Sequence, residues 1–354
     1  MTWRARQPSD PFERGKRKIG PMLHEESSVA KGAGNHSAPL VSVVMPIYDA
    51  APFLNAALDS VRVQDWPDLE LIAVNDGSTD GSGDILQAAA ADWVGPGRRL
   101  VVLEQQNAGA AAARNAGVAR AQGDILALFD SDDIYHPSLV SRLVAALGGE
   151  AIMSFAMYRY IDETGRHTGT ETAPGAEALQ LRELLRNNWV HAPVFSREAW
   201  DLAGPLDETL RAHIDLDFFA RLVKRRPGAI RLVPDALSDY RRRSGQITGD
   251  WRRMRRAWLH VHRKLRRDGL RLSPAELRRI HAGLRIYWAS LAYQSGDYAT
   301  ARRLTARAWR GDPAGLLREA HPRTLALACV TSLLPDGLHH AIRDLYRART
   351  TETA

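Results

Sequence analysis

The chain has 354 residues, 45% of them hydrophobic and 25% charged, which supplies a sizeable core and excludes a disordered or fibrous protein. Its one cysteine, Cys329, cannot pair within the chain, so a disulfide-stapled design is excluded and a reducing, cytoplasmic setting is expected. The net charge of +7 is unevenly spread: residues 221–285 hold 20 Lys and Arg against 5 Asp and Glu, a surplus of 15, which leaves the rest of the chain at −8.

Residues 1–39 mix basic residues with Gly, Pro and Ser and show no sustained apolar period, which predicts a mobile basic tail. Arg4 and Arg6 open it, but no apolar stretch follows as a secretory signal would need. At 40–45 the run Leu-Val-Ser-Val-Val-Met, closed by Pro46, predicts a buried strand. Residues 50–63 place Phe53, Leu54, Ala57, Leu58 and Val61 at helical spacing, and 69–74 predicts a second strand ending in Asn75-Asp-Gly-Ser. A helix through 85–91, a strand at 99–103, an Ala-rich helix at 108–121 and a strand at 124–129 follow.

Four strands alternating with helices predict a mostly parallel α/β sheet with right-handed crossovers. Ligands of such sheets sit at the carboxyl ends of the strands. Unusual polar residues fall there: Pro46-Ile-Tyr-Asp49, Asn75-Asp-Gly-Ser-Thr-Asp80 and Asp130-Ser-Asp-Asp133. Carboxylates brought together repel one another unless a divalent metal, a basic side chain or bound donors join them.

Further along, 151–160 reads as a strand, 178–187 as a helix and 189–196 as extended, while Asp215 and Asp217 open an apolar helix with Phe218, Phe219, Leu222 and Val223. Beyond Gly249 almost everything reads helical. Residues 287–302 and 306–313 resemble a single tetratricopeptide unit. The apolar run 325–334 is too short for the ~20 residues of a membrane-spanning helix.

Four blocks in order, Val41-Ser-Val-Val-Met-Pro-Ile-Tyr48, Val74-Asn-Asp-Gly-Ser-Thr-Asp80, Gln106-Asn-Ala-Gly109 with Ala113-Arg-Asn-Ala-Gly117, and Asp124-Ile-Leu-Ala-Leu-Phe-Asp-Ser-Asp-Asp133, resemble those of family 2 glycosyltransferases with the GT-A fold. The resemblance runs from about Pro39 to Thr248. It implies a catalytic α/β domain over 40–248, followed by a helical region over 249–354. It also implies inverting transfer of a sugar from a nucleotide diphosphate donor, UDP favoured, with Mg²⁺ or Mn²⁺, to a glycan or lipid-linked acceptor in bacterial polysaccharide or envelope assembly.

The resemblance assigns roles residue by residue. Asp76 would contact the nucleotide base, where a carboxylate can accept the imide hydrogen of uracil; its other reading is a turn carboxylate. Asn75 departs from the acidic residue frequent in the family at that place. Pro46 and Tyr48 would line the base pocket, and Arg114 would stand beside the donor. In Asp130-Ser-Asp132 alternate side chains of an extended segment point the same way. Asp132 would hold the metal and Asp130 would lie near the ribose.

His213-Ile-Asp-Leu-Asp217 resembles the family's Glu-Asp-x-Asp block with Ile214 in place of Glu, and its catalytic base falls on Asp215, with Asp217 as runner-up. His191 lies in the segment that often borders the acceptor. Tyr240-Arg-Arg-Arg-Ser-Gly resembles the basic loop over the donor diphosphate; Arg241, Arg242 and Arg243 all suit phosphate, and Arg241 and Arg243 are carried forward. No Gln-x-x-Arg-Trp follows, unlike the processive polysaccharide synthases.

Other classes fit less well. A dinucleotide oxidoreductase would need Gly-x-Gly-x-x-Gly after the first strand. A nucleic-acid-binding protein using 221–285 would need aromatic platforms, and none is legible, so nucleic acid is not an expected partner. A silent nucleotide-sugar-binding scaffold would not need both Asp132 and Asp215. The segment 251–267 combines Arg252, Arg253, Arg255, Arg256, Arg263, Lys264, Arg266 and Arg267 with Trp251, Trp258, Leu259 and Leu265. Its apolar face would either dip into the inner face of a membrane or pack on the catalytic domain.

Overall fold

The computed structural model describes residues 38–93, 95–171, 180–186, 188, 190–243, 245–319 and 338. The basic N-terminal tail up to residue 37, Trp189, the apolar run 325–334 and Cys329 lie outside them.

The first strand, β1 (Val41–Ile47), and the second, β2 (Leu69–Asn75), are buried at nearly every position. A strand covered on both faces needs no polar alternation, which is why both read as continuous apolar runs. They pair in parallel from Val41 with Leu69 to Ile47 with Asn75. β3 (Arg98–Glu104) joins β2 in parallel, and β4 (Ile125–Leu128) joins the other side of β1, also in parallel. Helices α1 (Ala51–Arg62), α2 (Ser82–Asp92) and α3 (Ala110–Arg120) supply the crossovers expected from the sequence. α3 packs tightly on the sheet at Gly117, where a Cβ would come within 2.4 Å of the Val44 side chain.

The sheet continues through strands the sequence marked less clearly. β8 (Val194–Ser196) pairs antiparallel with β4 and with β6 (Met153–Ile161); β6 lies parallel to β9 (Ile230–Arg241), and β9 antiparallel to β5 (Ile134–Tyr135). Among the described residues the order is β3-β2-β1-β4-β8-β6-β9-β5, with β7 (His167–Glu171) paired to β6. β9 went unpredicted because Pro234 interrupts it. The register explains how the strand survives: Val233 pairs with Ala156 and Ala236 with Met157, so Pro234 and Asp235 are bulged out where no ladder donor is required. The short helix α4 (Leu139–Ala145) packs on one face of the sheet, while α5 (Leu181–Arg186), α6 (Arg197–Ala203) and α7 (Ile214–Arg225) share the core on the other face.

The helical region comprises α8 (Trp251–Arg267), α9 (Pro274–Gln294), α10 (Tyr298–Gly311) and α11 (Pro313–Glu319). Asp250 caps α8, and Ser273 with Glu276 forms a capping box on α9. α9 and α10 are the helix pair expected at 287–313. Met254, Trp258, Val261 and Leu265 of α8 join one core with Phe218 and Phe219 of α7 or lie buried beside it, and Trp258 Nε1–H donates to the Leu185 carbonyl at 2.7 Å. The apolar face of α8 therefore packs inward, and Arg252, Arg255, Arg256, Arg263, Arg266 and Arg267 remain on its exposed face. Among the described residues, no helix is long and apolar enough to cross a membrane.

Candidate active site

The carboxyl ends of β1, β2 and β4 open into one cleft of about 1800 Å³, which extends past α7 to the inner faces of α8 and α9. Pro46, Tyr48, Asp76, Arg114, Asp130, Asp132, Asp215 and Arg243 all line it. Three non-glycine residues with left-handed backbone, Asp49 (φ 45°), Ala192 (φ 44°) and His213 (φ 55°), line it as well. Such conformations cost of order 1–3 kcal/mol each and persist only where surrounding contacts hold them.

Asp76, at the end of β2, is almost fully buried. Its carboxylate accepts from Gln105 Nε2 at 2.7 Å and from the backbone N–H groups of Ala108 and Gly109, both at 2.8 Å. These bonds clasp the loop between β3 and α3. A carboxylate offers about four acceptor positions, so one stays available to a base edge while three hold the loop. Asn75 is equally local, donating to Glu104 at 2.8 Å and accepting from the Ser78 N–H.

Past β4 three carboxylates crowd together. Asp130 forms an ion pair with Arg114, and Asp132 one with Arg243 at 2.8 Å. Asp133, fully enclosed, accepts from the Arg241 N–H at 2.7 Å, while its other oxygen lies 3.4 Å from His191 Nε2. Burial, and then repulsion from Asp130, raises the Asp132 carboxyl above its ordinary value. Burial also pushes Asp133 well up, with Asp132 and Asp130 adding to it. Burial depresses His191 to about 4, so its ring is neutral at pH 7.

The buried Asp133 Oδ2 and His191 Nε2 lack a hydrogen-bond partner, and ligand atoms of Asp130, Asp133 and His191 all lie within 4.8 Å of one another. Carboxylate oxygens with one neutral imidazole suit Mg²⁺ or Mn²⁺. None of these three residues was assigned the metal in the sequence reading, which placed Asp130 near the ribose. Asp133 was legible only as the last carboxylate of its run, and no local signal marks His191. Asp132, the residue expected to hold metal, stands beside this group with Arg243 as its countercharge.

Asp215 and Asp217 sit in the first turn of α7, two residues and about 200° apart around the helix, so they cannot share a face. Asp215 lines the cleft and accepts from Asn188 Nδ2 at 2.5 Å. Asp217 points inward with no exposed surface, held by Arg221 at 2.9 Å and Lys264 at 3.0 Å. Lys264 also reaches Asp207 at 2.8 Å. The runner-up base therefore does not line the cleft and is paired with two cations.

The three consecutive arginines separate. Arg241 is buried and does not line the cleft, since its guanidinium donates to the carbonyls of Asp132, Asp162 and Glu163. Of the two arginines carried forward, only Arg243 lines the cleft. Arg242 turns to the opposite wall and lies over the Tyr160 ring, 4.1 Å from its centre. Tyr158, Tyr160 and Tyr240, together with His191, form an aromatic cluster on that wall.

Comparisons with known proteins agree with this arrangement. The model of glycosyl transferase family 2 matches residues 42–198. The chain is 27% identical over 222 residues to the uncharacterized glycosyltransferase EpsJ of Bacillus subtilis (strain 168), covering 59% of this chain and 63% of EpsJ. It therefore spans less than two thirds of that relative's length. The putative teichuronic acid biosynthesis glycosyltransferase TuaG of the same organism is 29% identical over 231 residues, covering 65% of this chain and 89% of TuaG. Among solved structures, the mannosyltransferase PcManGT from Pyrobaculum calidifontis, in complex with GDP-Man and Mn²⁺, superposes with a TM-score of 0.57 at 19% identity over 89% of this chain and 84% of that one. That likeness concerns the fold, a mostly parallel GT-A-like sheet flanked by helices with a helical region after it. On the ordered strand-end motifs, the match to the family model and the shared fold, residues 42–198 of the chain resemble the family 2 glycosyltransferases.

Proposed function

We propose that the chain transfers a sugar from a nucleoside diphosphate sugar, UDP-linked in the first instance, to a hydroxyl of a glycan or lipid-linked glycan, with inversion at the anomeric carbon, in assembly of a bacterial polysaccharide or envelope component. The observation that carries this reading is that Asp76, Asp130, Asp132 and Asp215, far apart in the chain, line a single cleft.

In this reading Asp76 binds the base edge, with Pro46 and Tyr48 beside it. Arg114 keeps Asp130 oriented toward the ribose, and Arg243 faces the diphosphate. A divalent cation, held by Asp132 with Asp130 or through the Asp130–Asp133–His191 group, would neutralise charge on the leaving diphosphate. Asp215, held by Asn188, takes the proton from the acceptor hydroxyl as its oxygen attacks from the side opposite the leaving group. The GDP-Man complex of PcManGT and the teichuronic acid biosynthesis ascribed to TuaG support a nucleotide-sugar donor and a polysaccharide setting.

Hydrolysis of candidate nucleotide sugars in the absence of acceptor tests the reading, with Mg²⁺ or Mn²⁺ present and then with EDTA. Slow, cation-dependent release of the nucleoside diphosphate is expected. Binding of a nucleotide sugar without turnover would leave only the silent scaffold, and no binding of any nucleotide sugar would overturn the reading. The exposed arginines of α8 favour a peripheral, salt-sensitive contact with the anionic inner leaflet, made by charge alone because the apolar face is covered. Equal co-sedimentation with anionic and neutral vesicles would remove that contact.

A further inference from the structure

The proposed donor site leaves one wall of the cleft without a task. This wall joins the end of β9 to the helical region, with Arg242 and Tyr240 on one side, Arg253 from α8 and Tyr287 from α9 on the other, and Tyr160 of β6 between. Donor phosphates lie elsewhere in that reading, because Arg243 points to Asp132 while Arg242 points away to Tyr160. The same wall adjoins Asp215. Tyr287 is 37% exposed, yet its hydroxyl is pushed up to about 12, by burial first, with Arg242 acting against the rise and Tyr160 and Asp215 adding to it. These groups are therefore within electrostatic reach of one another.

The cleft is rich in carboxylates, and Arg114 and Arg243 are engaged by Asp130 and Asp132, so an anionic acceptor is better received on the side of Arg242 and Arg253. A guanidinium laid flat on an aromatic ring engages the ring through its face, and its edge N–H groups have the fork geometry that fits a carboxylate or phosphate. Tyrosine rings nearby offer flat apolar surfaces to a sugar. We infer that Arg242, placed over the Tyr160 ring and lining the same cleft as Tyr287, forms an acceptor-side anion subsite, so that the acceptor sugar carries a carboxylate or a phosphate. The inference rests on the glycosyltransferase reading and narrows its acceptor to an acidic glycan. It also gives the helical region a role in substrate choice, since α8 and α9 build half of the wall.

The test uses the full chain saturated with UDP and Mg²⁺, probed by saturation-transfer NMR with methyl glucuronide, glucose 6-phosphate and methyl glucoside. At least one anionic probe should bind about ten-fold tighter than the glucoside, as one charge-assisted contact allows. Which anion is preferred tells a carboxylate acceptor from a phosphorylated one. In Arg242→Gln the preference should fall to about one, and Arg242→Lys should keep part of it because the charge stays while the planar fork is lost. Equal binding of all three probes by the unaltered protein would overturn the inference, as would a preference that survives Arg242→Gln. Loss of UDP affinity in Arg242→Gln with the preference intact would also overturn it, moving Arg242 to the donor. Failure of UDP and GDP to bind at all would instead remove the glycosyltransferase reading.

Discussion

On the side of β1, β2 and β4, each cleft carboxylate lies within a few residues of the strand that positions it, and its partners come mostly from neighbouring loops. Asp76 is held by Gln105, Ala108 and Gly109, and Asp130 by Arg114. Asp132 and Asp133 of the same side reach further, to Arg243 and Arg241 at and just past the end of β9. On the side of α7 to α9, the contacts run between helices and loops, away from the strand ends. Asp215 is held by Asn188, while Lys264 of the helical region ties Asp217 and Asp207 together. The first side is built on the strand ends of the sheet. The second is assembled by packing, so a change there should disturb stability and acceptor handling together, whereas a change on the first side should disturb donor handling alone.

The largest expected effect probes the second side. Asp215→Asn should lower transfer by about 10²- to 10⁴-fold, the usual worth of a general base, with nucleotide affinity retained in a titration of UDP. Lost affinity with unchanged turnover would place Asp215 with the donor and break the division. On the first side, Asp132→Ala should cost about 10²- to 10³-fold in transfer and weaken the cation dependence of UDP binding, with an unchanged unfolding transition. Full turnover of that variant in EDTA would remove Asp132 from the metal.

Asp217→Ala separates the two carboxylates of α7. Removing it leaves Arg221 and Lys264 buried or half-buried beside an empty place, and should cost about 3–5 kcal/mol in urea unfolding. Retained stability with lost transfer would make Asp217 the base after all. The smallest effect concerns Asp207. Burial opposes its ionisation, but hydrogen bonds from Lys264 and Thr209 prevail and hold the carboxyl at about 2. A carboxyl depressed in the folded state contributes stability above its unfolded value and loses it as pH falls through the folded one. The difference between the unaltered protein and Asp207→Asn, about 1 kcal/mol or less for a partly exposed pair, should therefore be full near pH 5 and vanish toward about pH 2.

How much could be read in advance follows the same division. The alternation of apolar runs and helical periods at 40–129, with polar residues at the strand ends, determined the parallel sheet and its ligand edge, because strands buried on both faces leave little freedom in composition. Asp76, Asp130 and Asp132 were visible as polar residues at those strand ends and Asp215 as the opening of an apolar helix, while the roles expected of them came from the resemblance to the family. The paired helices at 287–313 were legible from periodicity alone.

Other features belong to the tertiary structure. β9 is interrupted in sequence by Pro234, and only its register with β6 shows the bulge that absorbs the proline. Asp215 and Asp217 are equivalent as letters, and the packing of α8 on α7 decides which one faces the cleft. Arg241, Arg242 and Arg243 are identical in type, yet one braces three carbonyls, one balances Asp132 and one stacks on Tyr160. His191 meets Asp133 across 58 residues of chain. Local pattern encodes the direction in which a strand or helix buries its apolar side chains. It does not encode which distant charge fills the space opposite, and the chemistry of this cleft depends on that second choice.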